Sequence, residues 1–165
     1  MKAAVLGVMA LTLMALPLGG CSSMLGSSYG TSGKVASADL PSIGDMTADA
    51  ALVDARSHFR NNDFGYSAAL YKKVVELSPK DPQGYVGLGA SYDRLGRFDL
   101  SDRVYASLYR LSGGTAQYYN NLGYSYLLRG NLTQALANFR QAKALAPDNA
   151  VVANNLAMLA NARAT

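Results

Sequence analysis

The chain has 165 residues, a net charge of +4, 50% hydrophobic and 16% charged residues, one cysteine and one histidine. A single cysteine excludes an internal disulfide, and Cys21 with His58 alone excludes a Cys/His zinc cluster. The charged fraction falls below the roughly 25% usual in soluble domains, so either the core is unusually apolar or part of the chain lies outside the folded domain.

The apolar excess begins at the amino terminus. Met1 and Lys2 open the chain, and Ala3 to Leu18 carry no charge. A membrane-spanning helix needs about 20 apolar residues, so this run is short for one. Pro17 interrupts a helix near its end. The pattern predicts a secretory signal over residues 1–20. It closes on Leu18-Gly19-Gly20-Cys21, which resembles the lipobox of bacterial lipoproteins. Small Gly19 and Gly20 let an extended backbone enter a peptidase cleft, and the Cys21 thiol is the nucleophile that accepts a diacylglyceryl group. The resemblance implies cleavage before Cys21 and covalent lipid on it, with palmitate-type acyl chains. Ser22, rather than Asp, follows the cysteine. By the same resemblance that implies the outer membrane of a diderm bacterium, with the protein facing the periplasm. Several acyl chains anchor stably, because each buried CH₂ contributes about 0.8 kcal/mol. An ordinary signal peptide followed by an incidental cysteine is the alternative.

Residues 21–47 form the next segment, the cysteine followed by a linker. From Ser22 to Gly44, Ser and Gly fill 11 of 23 positions, without helical or strand periodicity. Such a composition cannot bury enough apolar area to offset its ordering entropy, so a flexible leash is predicted, reaching roughly 25–30 Å.

From residue 48 the sequence repeats every 34 positions. Tyr85-x-x-Leu88-Gly89-x-x-Tyr92 returns as Tyr119-x-x-Leu122-Gly123-x-x-Tyr126. Gly96 returns as Gly130, Ser101 as Ala135, Tyr105 as Phe139, and Pro79 as Gly113 and then Pro147. This pattern resembles the tetratricopeptide repeat. The implied fold is all-α, a helical solenoid of three helix-turn-helix repeats at 48–81, 82–115 and 116–149. A capping helix and tail follow at 150–165.

The spacing has its own physical logic. Tyr119, Leu122, Gly123 and Tyr126 fall on one helix face, and Ala135 and Phe139 face them from the next helix. Gly123 and Ala135 let the backbones approach, while Tyr126 and Phe139 fill the space beside them. Gly130 is expected to end a helix in a left-handed cap, and Pro147 to stop another. Two departures stand out. The first repeat carries Ala51, Asp54 and His58 where larger apolar residues are expected, as suits an end unit with no preceding neighbour. Gly113-Gly114 replaces the terminal proline of the second repeat and predicts a looser junction there.

In this family the first helix of each repeat lines a concave face. The resemblance therefore implies a protein-binding groove containing Arg56, Gln83, Val86, Ala90, Asp93, Gln117, Asn120, Tyr124 and Leu127. A solvated helix face is the plainer reading of the same residues. The family's carboxylate clamp is not expected, because Leu52, Arg56, Gly87, Gln117 and Asn121 stand at its five positions and include no Lys.

Catalytic signals are thin. His58 has no nucleophile arranged with it, no glycine-rich phosphate loop occurs, and no acidic cluster has metal-loop spacing. Asp99 and Asp102 read as helix-dipole residues. The three repeats carry net charges of 0, +1 and +2, without the basic stripe of a nucleic-acid binder. Neither an enzyme nor a nucleic-acid or small-molecule binder is expected, and no cofactor beyond the lipid. The lipobox together with a short repeat domain containing Asn120-Asn121-Leu122-Gly123 resembles TadD-type lipoproteins. These assist Flp (tight-adherence) pilus assembly as pilotins. That implies a secretin, or another pilus assembly component, as partner. An envelope adaptor that recruits a cell-wall hydrolase or protease is the alternative.

Overall fold

The computed structural model describes residues 45–164. The signal segment, the lipobox residues Leu18, Gly19 and Gly20, Cys21 and the linker as far as residue 44 lie outside the described residues. Among those described there are seven helices and no strand: α1 (Ala48–Arg60), α2 (Phe64–Leu77), α3 (Pro82–Arg94), α4 (Phe98–Ser112), α5 (Ala116–Leu128), α6 (Leu132–Leu145) and α7 (Ala150–Ala164). The all-α solenoid is therefore the observed fold.

The starts of these helices are written in the sequence at the repeat spacing. The first N–H groups of a helix have no partner within it, and a side-chain oxygen just ahead satisfies them. Thr47, Asp81, Thr115 and Asn149 do this for α1, α3, α5 and α7, accepting from the backbone N–H of Ala50, Gln83, Tyr118 and Val151 at 3.2, 2.9, 3.1 and 2.9 Å. The turn inside each helix pair is equally periodic. Asn62, Gly96 and Gly130 hold the left-handed conformation, with φ of 61°, 69° and 74°. Gly and Asn bear that conformation at least cost. The left-handed cap expected at Gly130 is present.

Within a pair, the helices approach where one lacks a side chain. A Cβ on Gly123 would stand 2.7 Å from the Phe139 ring and 3.2 Å from the Ala135 carbonyl oxygen. One period earlier, a Cβ on Gly89 would stand 2.8 Å from the Tyr105 ring. The ring fills the space that the absent side chain leaves.

Among the described residues, two apolar clusters stand out. One joins α1, α2 and α3 around Ala51, Leu52, Ala55, Leu70, Tyr71, Val74 and Leu88, with Tyr92 and Leu95 packed against it. The other joins α5, α6 and α7 around Ala135, Phe139 and Leu159. Between them the second helix of repeat two meets the first helix of repeat three at fewer positions than at the preceding junction. This is the looser contact that Gly113-Gly114 led us to expect. Its filling is chemically different. Tyr118 of α5 lies edge-on to Tyr105 of α4 at 6.5 Å between ring centroids and beside Tyr109 at 5.2 Å. Next to these rings stands a hydroxyl and ion-pair network, described below. No described helix is long and apolar enough to cross a membrane.

Candidate functional site

A cavity of about 400 Å³ opens on the face formed by the first helices of the repeats. Val86, Gly87, Ala90, Asp93 and Arg94 come to it from α3, and Gln117, Asn120, Asn121 and Tyr124 from α5. Phe59 of α1, Tyr71 of α2 and Tyr105 of α4 complete the lining. A second hollow of about 270 Å³ shares Gln117, Asn120 and Asn121 and extends the face to Val151 and Val152 of α7. Of the residues expected in a groove, Val86, Ala90, Asp93, Gln117, Asn120 and Tyr124 are thus brought together.

The other expected groove residues lie elsewhere. Arg56 and Gln83 are outside the cavity lining, and the Arg56 guanidinium donates a hydrogen bond to the Gln83 side-chain carbonyl. Arg56 also stands near the Tyr71 phenol, whose pKa is raised by burial and pulled back in part by that charge. Leu127 is half-buried against the Ala135, Phe139 and Leu159 cluster. Asn120 lines the cavity but is only 9% exposed, and its Oδ1 accepts from Asn155 Nδ2 at 2.8 Å. It therefore ties α5 to α7 as well as facing the hollow. Among the clamp positions, Leu52 is buried in the first core cluster and Gly87 lies beneath the Tyr71 ring.

Asp93 sits at the junction of repeats two and three and is 3% exposed. Ser125 donates its hydroxyl to Oδ1 at 2.6 Å, and Tyr105 donates to Oδ2 at 2.8 Å. Burial pushes the Asp93 carboxyl above the usual carboxylate range, while the Ser125 and Tyr105 bonds and the charge of Arg129 offset part of that push. The Tyr105 phenol is driven well up, first by burial and then by the neighbouring carboxylate.

Arg129 completes the junction. Its two terminal nitrogens reach Asp102 at 2.6 and 3.0 Å, and Nη2 also donates to Ser125 at 2.7 Å. Its guanidinium lies over the Phe98 ring at 4.8 Å and the Tyr126 ring at 5.2 Å. A relay therefore runs from Asp102 through Arg129 and Ser125 to Asp93.

Sequence reasoning missed Arg129 and misassigned Asp102. Asp99 does stay local, held below the usual carboxylate range by its bond to Arg97. Asp102, three residues further along α4, faces the next repeat and pairs across the junction. A signal was available. One period before Arg129 stands Leu95, and one period either side of Asp93 stand Phe59 and Leu127. Charge at a position that is otherwise apolar marks an interface of altered chemistry. His58 pairs through Nδ1 with Asp63 at 2.9 Å and stacks on Tyr66. Among the described residues no group of three His, Cys, Asp or Glu side chains is placed to hold a metal ion.

Comparison with known proteins bears on the fold. Family models described as tetratricopeptide repeat match residues 52–101 and 116–149, together about half of the chain. No curated protein matches by sequence. Among solved structures, the first tetratricopeptide domain of Spaghetti (RPAP3) bound to the HSP90 peptide SRMEEVD is similar, with 18% identity, 72% of this chain and 94% of that chain covered, and a TM-score of 0.60. The Yersinia enterocolitica type III secretion translocator chaperone SycD is similar at 15% identity, with 72% and 95% covered and a TM-score of 0.60. YrrB, described as a repeat protein with an unusual peptide-binding site, is similar at 19% identity, with 67% and 57% covered and a TM-score of 0.59. At these identities the likeness is one of fold.

Proposed function

We propose, on the premise that this chain belongs to the tetratricopeptide-repeat family, that it is a non-enzymatic docking protein whose concave face binds a segment of another protein. The observation that carries this reading is the cavity of about 400 Å³, assembled from side chains of successive repeats that are far apart in sequence. Its aromatic and carboxamide lining suits a peptide, which offers both apolar side chains and backbone groups to hydrogen-bond. Two of the similar solved structures, one bound to a peptide and one with an unusual peptide-binding site, support the same reading.

The finer reading rests on the amino-terminal sequence. Lipid on Cys21 holds the chain at the outer membrane, the Ser/Gly-rich leash spaces it from the surface, and the groove receives a secretin or another component of a Flp-type pilus. The second reading, an adaptor for a cell-wall hydrolase or protease, uses the same groove.

Two experiments test these layers separately. Replacing Gln117 and Tyr124 together by Ala should weaken capture of a purified secretin domain by about tenfold, since each lines the groove without being fully buried. Unchanged capture would remove the groove from the mechanism, and capture of a hydrolase instead of the secretin would favour the adaptor. Replacing Cys21 by Ala should move the protein from the membrane fraction to the soluble fraction. Continued sedimentation with membranes would place the anchor elsewhere.

A further inference from the structure

Two charged residues, Asp93 and Arg94, line the cavity, and they are disposed differently. Asp93 is a buried carboxylate on its wall, and among the described residues it makes no ion pair. Its direct partners are neutral hydroxyls, those of Ser125 and Tyr105, with Ser101 beside them. The nearest compensating cation, Arg129, stands one hydroxyl away and is held by both oxygens of Asp102. A buried carboxylate without a cation is expensive, and its oxygens retain lone pairs beyond those the hydroxyls use.

The walls around it are aromatic: Phe59, Tyr71, Tyr105 and Tyr124. Such rings attract cations through their quadrupole, more strongly where water is displaced. The two arginines close by are committed to other groups. Arg94 lies over the Phe64 ring at 4.3 Å and donates to Asn62, and Arg56 is bonded to Gln83.

We infer that the cavity is a cation subsite, which takes the guanidinium or ammonium end of an Arg or Lys side chain on the bound segment, with Asp93 as the charge it reads. The inference rests on the groove reading and deepens it, because it states what the partner must present. It also sets this groove apart from one that receives an acidic chain end. The one cationic residue of the lining, Arg94, is turned to Phe64 and Asn62, and Asp93 repels a second carboxylate.

The test uses the full chain in detergent and blocked pentapeptides of alanine with one central residue: arginine, its neutral isostere citrulline, or glutamate. Amide chemical shifts report binding. The arginine peptide should shift the amides of Asp93, Asn121 and Tyr124 saturably, and citrulline should bind about tenfold more weakly. Asp93→Asn keeps the shape and a carbonyl acceptor, and should bring the arginine peptide down to the citrulline level. If that variant fails to fold, the arginine-to-citrulline ratio in the unaltered chain decides alone. Equal binding of arginine and citrulline, stronger binding of the glutamate peptide, or no saturable shift at the cavity would overturn the subsite. Equal binding at the cavity would still leave the groove standing. The groove itself falls only if secretin capture survives the Gln117 and Tyr124 replacements.

Discussion

Replacing Phe139 by Ala should destabilise the chain by about 3–5 kcal/mol, and should do so unevenly along its length. The ring is fully buried, and it rests on Gly123 and Ala135. Those neighbours have almost no side chain with which to refill the space, so the cavity left behind would persist. Ala135 and Leu159 are the other fully buried members of its cluster and the residues around them are only partly buried, so Phe139 is the largest buried side chain joining α5, α6 and α7. The first cluster, around Leu52, Leu70 and Val74, has no member in that region. In a repeat array stability is approximately a sum of unit and nearest-neighbour contributions. The loss should therefore concentrate in the last repeat. Hydrogen exchange should accelerate in α5 to α7 while α1 to α3 keep their protection. A uniform rise across all seven helices would show that the junction couples the two halves far more tightly than its contacts suggest.

Arg129→Ala should cost about 2–3 kcal/mol, an effect large for a side chain that is partly exposed. The replacement removes the ion pair with Asp102, a bond to Ser125 and two ring contacts in one step. Asp102→Ala should cost less, about 1 kcal/mol, because that carboxylate is half-exposed. The pH dependence identifies the mechanism. Burial raises the folded pKa of Asp93 above its unfolded value, so folding favours the protonated form. Stability from this group is complete below the ordinary carboxylate pKa of about 4 and declines as pH rises through the folded value. Arg129 softens that decline, and its removal should push the Asp93 carboxyl higher still. The difference between the parent chain and the variant should therefore be small in acid and grow toward neutrality. A difference independent of pH, measured by denaturant unfolding, would mean that Arg129 stabilises through packing alone.

The parts of this molecule that were legible in the sequence are those that repeat. Thr47, Asp81, Thr115 and Asn149 begin helices, and Gly96 and Gly130 turn the chain, because a 34-residue period fixes where each must occur. Gly123 against Phe139 could be anticipated for the same reason. The groove was legible as a face through the family resemblance, which lines it with the first helix of each repeat, while helical register pairs Val86 with Asp93 and Gln117 with Tyr124. What each residue does on that face was not. Asn120 reads as a free carboxamide until α7 supplies Asn155, 35 residues away, to occupy its oxygen. Asp93 reads as a solvated acid until Tyr105 and Ser125 close over it. Arg129 looks like an unremarkable basic residue near a helix end. Its role depends on Asp102 of the preceding repeat, and the helix crossing that joins them is not encoded at either position.

Leu95 and Arg129 occupy the same place in successive repeats, and the contrast between them bears on how the array avoids error. Units built to one plan risk docking in the wrong sequence, within a chain or between two chains meeting during folding. Caps and turns offer no protection, because they are alike at every repeat. The faces do. If α5 docked in the place of α3, the guanidinium of Arg129 would meet buried Ala68, the counterpart of Asp102 one repeat earlier, with no carboxylate to receive it, at a cost of several kcal/mol. Asp93 would likewise lose the Ser125 hydroxyl. Each unit thus recognises one neighbour, and an exchange of segments between molecules is discouraged before any groove has formed.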